Sequence, residues 1–171
     1  MNHVKAGVVV VTKFCKSSSK AFSSYIDYVD REEAARSNNT SKYNLYQDYM
    51  GNPEKSTGLF TETGDVQTME DKTKLKDIFK QAQSKDSLMW QTVISFDNMW
   101  LEKNGLYSSK DKVLDEERLK GITRSAVHKM LEKEGLENAV WSAAIHYNTD
   151  NIHVHVATAV SYTHLRAHET G

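Results

Sequence analysis

The stretch Asn151-Ile152-His153-Val154-His155-Val156, read with Trp141-Ser142-Ala143-Ala144-Ile145-His146-Tyr147 just before it, decides the fold. His153 and His155 are two residues apart, so on a strand both leave one face while Val154 and Val156 leave the other. Asn148-Thr149-Asp150-Asn151 supplies turn residues between the two runs, which makes them an antiparallel hairpin. With those four as the loop, Tyr147 faces Ile152, His146 faces His153 and Ala144 faces His155. Opposed Cβ atoms lie about 4.5–5.5 Å apart, so three imidazoles converge on one patch beside the small Ala144. The other face collects Ala143, Ile145, Tyr147, Ile152, Val154 and Val156, an apolar set fit for burial. A one-residue slip would mix the two sets.

Three neutral imidazoles on a rigid scaffold suit a divalent metal with open coordination positions. One strand histidine alone is better read as an ordinary polar-face residue; three in this geometry favour a metal. Imidazole ligands select Zn, Cu, Fe or Ni. A phosphate substrate would add oxygen ligands that suit Mg or Mn.

At 171 residues the chain fits one domain with a proper core, and 39% hydrophobic with 26% charged residues describes a soluble globular protein. A formal net charge of −1 carries no whole-protein signature of nucleic-acid binding. The first twenty residues, however, hold Lys5, Lys13, Lys16 and Lys20 and no acid, a local patch able to face phosphate or simply a solvated end. The single cysteine, Cys15, excludes an intrachain disulfide and fits a reducing compartment. No segment approaches the ~18–20 apolar residues of a membrane span, and the chain is expected in the cytoplasm.

Along the chain, Gly7 to Phe14 reads as a buried, valine-rich strand. Ala21 to about Arg36 is helical, with Phe22, Ile26 and Val29 on one stripe, Tyr25 beside it and Tyr28 at its edge. Tyrosines so placed are core-edge residues or, if they reach the histidine face, nucleophiles. Ser37 to Gly58 is a long polar loop, and Thr57 to Thr61 a short strand. Glu70 to Gln83 is a helix burying Leu75, Ile78, Phe79 and Ala82. Leu88 to Asp97 alternates as a central strand, with Leu88, Trp90, Thr92, Ile94 and Phe96 on one face. Asp97 at its end reads as a turn cap, or otherwise as a carboxylate near a metal. After a linker through Gly105 and Lys112, Asp115 to Glu134 is a helix with Asp115 as N-cap, a stripe of Leu119, Ile122, Ala126 and Met130, and Gly135 as its stop. His128 lies off that stripe. The natural layering puts the helices on one face of an antiparallel sheet, over the apolar side of the hairpin, and leaves the histidines on the open face.

Residues 161–171 break the pattern and resemble translated sequencing-adapter sequence, so they are set aside as a non-native tail. On that reading residues 1–160 form the functional domain, an N-terminal fragment of a longer protein. His164 and His168 within the tail are not taken as a second metal site.

Ser24-Tyr25-Ile26-Asp27-Tyr28-Val29-Asp30-Arg31, Val93-Ile94-Ser95-Phe96-Asp97 and Ile145-His146-Tyr147-Asn148-Thr149-Asp150-Asn151-Ile152-His153-Val154-His155 together resemble the relaxases of conjugative and mobilisable elements, closest to the MobL type. These belong to the endonucleases with a His-hydrophobic-His (HUH) motif. The resemblance covers about residues 6–160 and implies that His146, His153 and His155 hold the metal. It further implies that Tyr28, in Tyr28-Val29-Asp30-Arg31, is the nucleophile, with Tyr25 the runner-up. Such enzymes nick one strand at a plasmid origin of transfer, forming a 5′-phosphotyrosyl link and leaving a free 3′-hydroxyl. Many relatives have Pro where this chain has Ile152, a difference that bears on the turn more than on the chemistry.

The expectation is thus a relaxase on an α+β, ferredoxin-like (palm-like) antiparallel sheet. Mg or Mn is its expected cofactor, with Zn the alternative. Its partners would be single-stranded DNA and other mobilisation proteins, and Arg31, Lys13 and the tyrosines of residues 43–49 are candidate DNA contacts. Rival readings are a rolling-circle replication initiator, a DNA-binding module without turnover, and a metal hydrolase of small molecules that would not need the tyrosines.

Overall fold

The computed structural model describes residues 6–16, 56–66, 68–147 and 151–160, without the side chains of 56, 57 and 147. The predicted helix at 21–36, most of the polar loop after it, and the tail at 161–171 lie outside the described residues.

Period-two alternation builds the sheet. Strands β1 (Val8–Cys15), β2 (Ser56–Phe60), β3 (Met89–Asp97), β6 (Ala139–Tyr147) and β7 (Asn151–Val160) form one antiparallel sheet in the order β1-β3-β7-β6-β2. The expected hairpin is β6–β7, in the expected register: Tyr147 pairs with Ile152, His146 with His153 and Ala144 with His155. β7 lies at the centre, which explains why both its faces are so constrained.

On one side of the sheet, Ile94, Phe96, Trp141, Ile145, Ile152 and Val154 are buried against helices α2 (Asn98–Lys103) and α3 (Glu116–Lys133). Helix α1 (Met69–Ser84) packs on the other side, the histidine side. Helices therefore cover both faces, which corrects the one-sided layering expected from the sequence. The physical reason is visible in the side chains. Leu75, Phe79 and Ala82 must leave water, and Ala144, Ala157 and Ala159 give them a flat platform beyond the histidines. The Thr68 hydroxyl accepts the Asp71 N–H at 3.0 Å to start α1, and Glu70 and Asp71 suit its positive end.

Asp115 caps α3, its Oδ1 accepting the Arg118 N–H at 3.1 Å, and Gly135 at φ +69° follows the helix. The buried stripe of α3 is Leu119, Thr123, Val127 and Leu131 with Lys120, one position round from the predicted stripe. Ile122 is 38% exposed, Ala126 is exposed and Met130 only half-buried. The polar members of the true stripe are satisfied: Thr123 Oγ1 donates to the Leu119 carbonyl at 2.9 Å, and Lys120 Nζ meets Asp65 at 3.0 Å. Lys120 and Arg124 also lie over the Phe60 ring, 5.7 and 5.4 Å from its centroid, and Arg124 Nε donates to the Thr61 carbonyl at 2.8 Å. These contacts tie α3 to the end of β2.

β1 is also corrected, since among the described residues it pairs with β3 alone, and Val8, Val9, Val10, Val11 and Phe14 are exposed rather than buried. The stretch read as a linker after β3 holds α2 and a small hairpin, β4 (Tyr107–Ser108) with β5 (Val113–Leu114), with Gly105 before it and Lys112 in its loop at positive φ.

Candidate active site

The histidine patch sits at the end of the hairpin that α1 leaves uncovered among the described residues. His146 and His153 share one cross-strand row with Ser95 on β3 and Ser56 on β2. His155 stands in the next row, between Val93 and Ala144. Ala144 is buried and has no side chain beyond Cβ, so the His146 ring leans diagonally toward His155. Their ring centroids are 4.2 Å apart, and those of His153 and His155 are 6.3 Å apart.

Burial pushes the His146 pKa down to about 4, with further lowering from His155 and then His153. Burial also lowers His153. His155 reaches solvent at its rim, yet the packed strands beneath it, and secondarily His153, lower its pKa as well. The three rings are thus biased to the neutral form, the form that ligates metals.

The donor set fits a divalent cation in chemistry and in sharing one face. A ligating ring centroid stands about 3.2 Å from its metal, so two co-ligands at about 90–110° have centroids roughly 4.5–5.3 Å apart. The His146–His155 spacing is near that range and the His153–His155 spacing exceeds it. As the side chains stand, no trio of His, Cys, Asp or Glu among the described residues is arranged to hold an ion. The sheet brings the three histidines together; ligation would require His153 to turn inward.

Ser95 is the neighbour that sequence reasoning passed over. Its Oγ lies 2.9 Å from His153 Nδ1. The signal was present in the alternation of β3, which sends Ser95 out on the same face as Gln91 and Val93, but the adjacency of β3 to β7 is a long-range fact. Asp97 instead takes the capping role, its Oδ1 accepting the Met99 N–H at 2.9 Å at the start of α2. Lys13 is exposed on the histidine side of β1, opposite Gln91. Tyr25, Tyr28, Arg31 and the tyrosines of residues 43–49 lie outside the described residues. His128 is exposed on α3, 3.4 Å from Glu62.

No helix among the described residues is long and apolar enough to cross a membrane. No curated protein and no solved structure matches the chain. A family model does: that of the MobL relaxases, over residues 5–170. The match spans nearly the whole chain, and the antiparallel sheet with its paired histidine strand is consistent with it. The protein therefore belongs to the MobL relaxases, enzymes that cut and transfer DNA strands in mobilisation.

Proposed function

We propose that the chain nicks one DNA strand at an origin of transfer through a tyrosine nucleophile, with His146, His153 and His155 holding a divalent cation beside the scissile phosphate. The observation that carries this reading is the β6–β7 register, which puts three neutral-biased imidazoles on one face of a two-stranded ribbon. Mg or Mn suits a site shared between imidazoles and phosphate oxygens, with Zn the alternative. When bound, such a cation supplies positive charge against the charge that builds on the phosphate in transition.

Tyr28 is the nucleophile in this reading, with Tyr25 the alternative. Its phenol oxygen bonds to the scissile phosphorus as the bond to the 3′ oxygen breaks. The phenol loses its proton and the leaving 3′ oxygen gains one, giving a 5′-phosphotyrosyl link and a free 3′-hydroxyl. A phenol with a pKa near 10 is a weak nucleophile at pH 7, so it must be activated at the site. The covalent link conserves the phosphodiester's energy for rejoining. Lys13 and Arg31 are proposed to steady the single strand.

The test is formation of a covalent protein–DNA adduct on single-stranded origin DNA with Mn²⁺, compared among the wild type, Tyr28→Phe and Tyr25→Phe. Loss in Tyr28→Phe alone supports the assignment. Retention in both variants removes the tyrosine mechanism, and binding without any adduct favours a module that does not turn over.

A further inference from the structure

We infer that Ser95 is a positioning residue of the histidine site: its Oγ accepts the Nδ1–H of His153, which leaves the Nε2 lone pair for a metal ion. This rests on the proposed metal site. Ser95 on β3 pairs directly with His153 on β7, and the side chains leave the same face. The 2.9 Å separation is a hydrogen bond of good length. A neutral imidazole carries one N–H, and the partner at one nitrogen decides which tautomer is present. Nδ1 is the nitrogen nearer the backbone and the one a neighbouring strand can reach sideways. Nε2 is the far nitrogen, the one able to project beyond the sheet toward the rings of His146 and His155.

The anchor also limits how the ring can move. His153 stands 6.3 Å from His155, centroid to centroid, wider than the 4.2 Å between His146 and His155. An inward turn of the ring that brings Nε2 to a shared ion has to keep this contact. Partners of this kind that hold a ligating histidine from behind contribute about 10–100-fold to metal affinity. No carboxylate among the described residues is seen bonded to His153; a serine holds its Nδ1.

The test uses the full chain labelled with ¹⁵N-histidine. In the metal-free protein near pH 8, the His153 ring shifts should report the Nδ1–H tautomer, and Ser95→Ala should move them toward the Nε2–H tautomer that an unconstrained histidine side chain favours in water. Ser95→Ala should also weaken Mn²⁺ binding by about tenfold or more, with an unchanged circular-dichroism spectrum. Ser95→Thr, which keeps the hydroxyl, should restore both. An Nε2–H tautomer in the wild type, or shifts and affinity that Ser95→Ala leaves unmoved, overturns the inference. If the wild type binds no Mn²⁺ while its His153 tautomer depends on Ser95 as described, the metal reading fails and the proton placement stands.

Discussion

His146 is the residue on which site and stability meet. Its folded pKa is about 4, against an ordinary value of 6.5, so between those values the unfolded chain binds a proton that the folded chain does not. Stability is then complete above about pH 6.5 and is lost as pH falls through about 4. Between pH 7.5 and pH 5 the loss from this group is on the order of 2 kcal/mol. Urea unfolding of the metal-free protein at the two pH values should show it, and His146→Gln should remove most of it; an equal slope in the variant would contradict the burial seen here. At this scale the sequence was highly informative. Alternation on both sides of a turn-rich tetrapeptide fixes which side chains oppose one another, and His146, His153 and His155 pair as that alternation requires. Ser95 was not legible in the same way, because its neighbourhood depends on which strand flanks β7, and no local pattern encodes that.

Among the elements, the misplaced stripe of α3 shows what hydrophobic periodicity leaves out. Ile122, Ala126 and Met130 form a credible apolar diagonal, but the helix buries the adjacent one, where Leu119, Val127 and Leu131 are apolar and Lys120 is paired with Asp65. Lys120 has 6% of its side chain exposed and Asp65 20%. Asp65→Ala would leave a buried ammonium whose remaining ionic partner is the exposed Glu117, at 3.5 Å. A loss of about 3 kcal/mol is expected in chemical denaturation. Adding Lys120→Met should recover most of it, since an apolar side chain suits the same space; a double variant no better than the single would deny the pairing its role. Gly7 governs how the start of β1 joins the fold. A Cβ on Gly7 would run into the Trp100 indole of α2, and the Gly7 carbonyl accepts the Asp97 N–H at 2.9 Å. Gly7→Ala should therefore cost about 1–3 kcal/mol through overpacking, read as a lowered denaturation midpoint, whereas Gly121→Ala, where nothing lies within 4 Å, should be tolerated. The expected layering put α1 over the apolar side of the hairpin with the other helices, whereas it packs on the histidine side. Leu75, Phe79 and Ala82 announce a buried stripe, but only the alanines on β6 and β7 reveal where it is buried.

For the whole molecule, strand order constrains the segment carrying the proposed nucleophile. β1 and β2 are opposite edges of the sheet, so the chain between Cys15 and Ser56 passes from one edge to the other, about 19 Å across four strand spacings. It starts beside Met89, at the end of the sheet away from the histidines, and finishes with Ser56 paired to His146. From Cys15 to the His153 row is about 20 Å along the strands and roughly 10 Å across them, or some 22 Å on the diagonal. The six residue steps from Cys15 to Ala21 extend at most about 22 Å, and if Ala21–Arg36 takes its predicted helix, Tyr28 gains a further 10 Å or so. That total exceeds the diagonal, and so does the reach of Tyr25, three residues earlier, so the linker lets either tyrosine come to the histidine row. The prediction can be tested without DNA. In protein labelled with 3-fluorotyrosine, Mn²⁺ bound at the histidines should broaden the Tyr28 resonance, assigned through Tyr28→Phe, far more than that of Tyr107. Tyr107 belongs to β4 and packs against the core on the α3 side, so the sheet lies between it and the histidines and it serves as the control. Equal sharpness of the two signals at a Mn²⁺ concentration that saturates the site would place Tyr28 too far from the histidines to attack a phosphate held there.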